Sequence, residues 1–183
     1  SCGKTTTMKA WGTSENESNG YLQSVEVKDK NGDYEKSLPW YRWEADIDQD
    51  ILSTLLAENV KKNIGTVQSL EVTKTGPGGV ALQIKAVGDK GSITVDTENK
   101  IRKALGGNGY EIKKQDGTVA QSGTLLPSAF FKVKKAGNIF KITGGGYGHG
   151  IGMSQNGANE MAKTGKNYQE ILQMFYPGTT IEK

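Results

Sequence analysis

Cysteine and histidine are almost missing from this chain, which carries one of each, Cys2 and His149, in 183 residues. A single cysteine closes no intrachain disulfide, and one Cys with one His cannot complete a Cys/His zinc site. Any Ser-His-Asp or Cys-His device would have to use His149 as its imidazole. Arginine is nearly as scarce: Arg42 and Arg102 stand beside 21 lysines, with a net charge of only +3 and no basic block. Sequence-reading nucleic-acid binders lean on the arginine fork, so nucleic acid is not an expected partner. No apolar run approaches the roughly 18–20 residues of a membrane span, and residues 1–20 lack the basic-then-apolar order of a signal peptide. The chain opens without Met, and the expectation is that further sequence precedes Ser1.

What is present is enough for one full core at this length. Residues 1–37 are rich in Ser, Thr, Gly, Asn and charge, and read as an irregular lead-in holding one strand, 21–27, with Tyr21, Val25 and Val27 on one face. Asp48 is placed to cap a helix over 49–60 with Ile51/Leu55 and Leu52/Leu56 paired at i, i+4, and Trp40 and Trp43 as its packing partners. Leu70 and Val72, a turn at 75–79, then Val80, Leu82 and Ile84 predict a hairpin. Ile93 and Val95 predict a further strand, and Thr97 a cap for a short helix with Ile101 and Leu105 that ends at Gly106-Gly107. Phe131/Val133 and Phe140/Ile142 continue the strands. Ser154 caps a helix to about Thr164 with Ala158, Met161 and Ala162 inward, and Asn167 and Glu170 a second one with Tyr168, Ile171, Leu172 and Phe175 inward. Strands in series with three to four short helices, and no βαβ rhythm, predict an α+β fold with a mainly antiparallel sheet.

The sharpest feature is Gly144-Gly145-Gly146-Tyr147-Gly148-His149-Gly150-Ile151-Gly152, followed by Met153-Ser154-Gln155. Six glycines in nine residues lose chain entropy on folding, so the segment needs positive φ or close approach of a ligand. A dinucleotide loop fails on spacing, since no G-x-G-x-x-G can be laid on it. His149, with glycine on both sides, is either a structural imidazole bonding a loop carbonyl or a ligand-contacting acid/base group. Tyr147 is either a core ring or a platform for a sugar. Ser154 and Gln155 read as helix cap and first-turn residue, and their position aims backbone N–H groups at whatever the loop holds. Gly3-Lys4-Thr5 lacks the rest of a phosphate loop. Cys2 is open to two readings, a lipid-modified N-terminal cysteine of a longer precursor or a structural thiol. The carboxylates considered for glycoside chemistry (Glu44, Asp46, Asp48, Asp50, Glu58, Glu160) read as a cap and as solvated helix faces.

The run from Gly144 to Gly152 with Met153-Ser154-Gln155, Gly157-Ala158, Met161-Ala162, Gly165, Tyr168, Glu170-Ile171-Leu172 and Phe175-Tyr176-Pro177-Gly178-Thr179 resembles the C-terminal signature of the stage II sporulation protein D (SpoIID) and LytB amidase-enhancer family. Ser1-Cys2-Gly3, Trp11, residues 21–25, Trp43, Ile101-Arg102 and Leu105 fall in the family's order too. The resemblance makes residues 1–183 the C-terminal portion of a SpoIID-like domain. It implies peptidoglycan remodelling outside the cytoplasmic membrane during engulfment, by a secreted or membrane-anchored lytic transglycosylase that cleaves denuded glycan strands. The family's catalytic Glu would then lie upstream of this chain, and a cell-wall amidase or other engulfment proteins become possible partners. It further implies that Tyr147, His149, Ser154 and Gln155 line a glycan cleft. Two positions depart from the pattern: Gly3-Lys4-Thr5 stands where the family has Gly-Gly-His, which leaves the zinc ligands proposed for relatives incomplete, so no cofactor is expected; and Tyr147 stands where Trp is common. A second reading is a non-catalytic wall-binding module that recruits or enhances an amidase.

Overall fold

The computed structural model describes residues 1–182. Its strands and helices run in the order β1 (Lys28–Asp29), β2 (Gly32–Asp33), β3 (Trp43–Asp48), α1 (Gln49–Val60), β4 (Val67–Thr75), β5 (Ala81–Gly88), β6 (Gly91–Asp96), α2 (Glu98–Leu105), β7 (Glu111–Lys114), β8 (Val119–Gln121), β9 (Phe131–Ala136), β10 (Ile139–Gly144), α3 (Gln155–Lys163) and α4 (Tyr168–Phe175). The strands form a β1-β2 pair, a three-stranded sheet β4-β5-β6 and a five-stranded sheet ordered β8-β7-β3-β10-β9. Every pairing between these strands is antiparallel, so this is an α+β fold.

The period of two in β3 explains the five-stranded sheet. Trp43, Ala45 and Ile47 turn into the core with Phe140, Ile142 and Ile112 from the flanking strands, while Glu44 and Asp46 face solvent. Helix α1 closes the core with Leu52, Leu55 and Leu56, and Asp48 caps it by accepting from the Asp50 N–H at 2.8 Å. The edge strand β9 carries Lys132, Lys134 and Lys135, a charge pattern that discourages pairing with a foreign strand. Helices α3 and α4 build a separate small cluster in which Met161, Ile171 and Phe175 pack on Val27 of the lead-in.

Several sequence expectations are corrected. Over 21–27 there is no strand, only a bridge of Glu26 to Lys4, and Tyr21 is exposed while Val27 is buried. Thr97 occupies the cap position of α2 at φ 71° with no side-chain bond to the helix. Ala162 and Tyr168 are exposed, because α3 and α4 each turn a narrower face inward than their spacing suggested. Trp40 and Trp43 reach the Gly-rich loop, while Trp43 also shares the buried cluster that holds Leu52, Leu55 and Leu56 of α1. The strands β7 and β8 escaped the sequence reading because Glu111–Lys114 holds a single buried apolar residue, Ile112.

Candidate functional site

The Gly-rich segment leaves β10 at Gly144 and enters α3 at Ser154, so it joins the main core to the small helical cluster. Its glycines alternate into the left-handed region, with φ of 77° at Gly146, 115° at Gly148, 78° at Gly150 and 70° at Gly152. Gly150 has a second reason to lack a side chain: a Cβ there would lie 2.4 Å from the Phe130 ring. The loop is held by backbone bonds. The N–H groups of Gly145, Gly146 and Gly148 donate to the carbonyls of Phe130, Trp40 and Pro127 at 2.8–3.0 Å, and the Gly150 carbonyl accepts from Thr6 at 2.8 Å. From below, the buried Trp43 indole donates to the Gly146 carbonyl at 3.0 Å and Ser128 Oγ to that of Gly145 at 2.7 Å. The positive φ values thus serve a rigid loop whose polar backbone is largely tied down.

A groove of about 310 Å³ runs along this loop, and its lining includes Tyr147, His149, Ser154 and Gln155. Tyr147 is 66% exposed, with its ring 5.0 Å from that of Trp40. The structure therefore makes it a surface ring and not a core one. His149 is exposed as well, its ring 5.2 Å from Trp11. Its Nδ1 accepts from the Ile151 N–H at 3.0 Å, which leaves Nε2 to carry the ring proton and donate outward. The structural bond of its first reading therefore uses Nδ1 alone.

Ser154 caps α3 by accepting from the Gly157 N–H at 3.2 Å, and it also donates 2.7 Å to Glu35 Oε1. Glu35 was not among the carboxylates considered from the sequence. It is 2% exposed at the base of the groove, and its carboxylate also accepts from Ser1 Oγ at 2.7 Å and from the Ser1 nitrogen. No local signal marks it, since it sits in a charged, irregular stretch and meets Ser154 only through the tertiary fold. Trp11, Trp40 and Ser128 were missed as site residues for the same reason.

Cys2 borders the groove, half-buried. Burial pushes its thiol above the ordinary range, with the nearby Arg42 charge opposing. Alkylation of Cys2 is therefore expected to reach its half-maximal rate at a higher pH in the folded chain than in urea, and equal midpoints would refute the shift. Because the unfolded thiol ionises first, the folded chain loses stability as pH rises past about 8.5. Among the described residues no three His, Cys, Asp or Glu side chains gather as a metal site.

An antiparallel α+β domain with a rigid, glycine-built groove displaying aromatic and imidazole groups is the class defined by this geometry. Residues 8–152 match the family described as Domain of unknown function (DUF8618), and the chain belongs to that family. It is also 39% identical over 93 residues to Stage II sporulation protein D of Bacillus subtilis, a match covering 51% of this chain and 26% of that protein. The protein of the same name from Bacillus amyloliquefaciens is 35% identical over 104 residues, 57% of this chain and 29% of the relative. The Amidase enhancer of Bacillus subtilis is 50% identical over 58 residues, 32% of this chain and 8% of that protein. These matches place the chain among SpoIID/LytB-like proteins, and the matched stretches span less than a third of each relative's length.

Proposed function

We propose that this chain serves cell-wall remodelling in sporulation by binding peptidoglycan glycan strands along the Gly-rich loop, as part of a lytic transglycosylase acting on denuded strands outside the cytoplasmic membrane. The observation that carries the reading is the exposed Tyr147 ring, backed by Trp40, on a loop whose conformation is set by backbone hydrogen bonds. A flat apolar ring flanked by a donor suits a sugar, which offers a C–H face and a rim of hydroxyls. His149 Nε2–H is that donor. Cleavage needs a carboxylic acid that protonates the leaving oxygen and then serves as base while the sugar's own hydroxyl closes on the anomeric carbon. Glu35, the carboxylate in the groove lining, is engaged by two serine hydroxyls, which fits a positioning role better than a free acid. The acid is assigned to sequence outside this chain.

The test is a pull-down on denuded glycan strands with Tyr147→Ala and His149→Ala. Each is expected to weaken binding about tenfold, or ~1.4 kcal/mol, and unchanged affinity in both would overturn the site. Release of anhydro-muropeptides by the longer protein tests the enzymatic part. The match to an Amidase enhancer favours a second reading, a non-catalytic module that recruits an amidase. That reading requires strand binding without anhydro products, together with a faster amidase.

A further inference from the structure

A second cavity, of about 760 Å³, opens beside the start of the Gly-rich loop. It shares Cys2 and Phe130 with the glycan groove, and Gly144 and Gly145 at the start of the Gly-rich run line it. Its lining carries five cationic side chains against two carboxylates. The sheet register organises part of that charge: Lys132 of β9 lies opposite Thr143, Thr143 opposite Glu44, and Glu44 opposite Lys113. Alternation puts this row on the solvent face of the five-stranded sheet. Glu44 is 3.8 Å from Lys113 and engages no other cation among the described residues. Lys132 and Lys114 have no carboxylate partner among the described residues, and Lys114 Nζ stands 5.1 Å over the Trp40 ring that backs Tyr147. Arg42 reaches the same cavity with its guanidinium on the carbonyls of Cys2 and Tyr41.

A basic cleft that borders a sugar groove at Cys2 and Phe130 calls for a glycan that bears negative charge. We propose that this cleft binds the carboxylates of the glycan strand, the groups set free on the lactyl ethers when stem peptides are cut from their amide bonds. A strand still carrying peptides has an amide at each such position and offers no anion there. The cleft then distinguishes a stripped strand from an intact one by charge. This assignment rests on the glycan reading of the groove and adds to it the feature of the strand that is recognised.

The experiment measures binding of the 183-residue chain to denuded strands and to the same strands with their carboxylates capped as methylamides. Free-acid strands are expected to bind about tenfold more tightly at low salt, the order that a few partly exposed ion pairs provide, and the advantage should shrink as salt rises. The double variant Lys113→Gln/Lys132→Gln should lose most of that advantage while keeping the wild-type affinity for capped strands. Equal binding of the two strands by the wild type overturns the charge reading and leaves the glycan groove standing. An advantage that survives the double variant also overturns it, and failure of both strands to bind overturns both readings.

Discussion

Trp43→Ala is expected to destabilise the chain by about 3–5 kcal/mol, the usual cost of truncating a buried tryptophan. Trp43 is 3% exposed at the first position of β3, and β10 has a glycine opposite it because the indole fills the space where a side chain would stand. A Cβ on Gly144 would lie 2.2 Å from the Trp43 ring. Truncation leaves a cavity under the loop and removes the donor to the Gly146 carbonyl. Urea unfolding measures the loss, and strand binding by the remaining folded protein measures the loosening of the loop. A loss under about 1 kcal/mol would show that the indole is not the support of this loop.

Glu98→Ala is expected to cost a similar amount, about 3–5 kcal/mol, by stranding a buried cation. Glu98 is 1% exposed in the first turn of α2 and pairs with Arg102 at 3.3 Å. Arg102 also donates from Nε to the Leu126 carbonyl at 2.8 Å, so it cannot swing to solvent without releasing the 122–130 segment. The same carboxylate accepts from the Trp11 indole at 3.1 Å, and Trp11 packs on His149. The substitution should therefore weaken strand binding as well as stability, through a looser imidazole. A double variant Glu98→Leu/Arg102→Met should recover much of the stability, since no buried charge is left unpaired. If Glu98→Ala alone stays within about 1 kcal/mol of wild type in urea unfolding, the buried pair is not a structural tie.

These two side chains mark where the sequence was legible and where it was not. The helix starts at Asp48, Ser154 and Asn167 were readable because a cap is local: a side chain satisfies an N–H two or three residues on, and all three bonds are formed. The alternation in β5, β6 and β10 was readable because one solvated or packed face imposes a period of two, whereas β3 was not legible as a strand and its Glu44 and Asp46 read as helix faces. Thr97 failed as a cap because its backbone sits at φ 71°, a conformation decided by its surroundings. Ala162 and Tyr168 failed because the helical cluster is small and covers only part of each helix.

By itself the sequence determined the class of the protein: α+β, without a disulfide framework, and with one loop whose glycines, Tyr147 and His149 carry its signature. Positive φ and close approach were written into the glycines, because no other residue takes that backbone so readily. Tertiary structure alone decided what surrounds the loop. Glu35 meets Ser154 across 119 positions, Trp11 meets Glu98 across 87, and Lys132 and Lys113 join one charged row through two intervening strands. Contacts at that separation depend on how strands register and loops close, and neighbouring residues carry no trace of them.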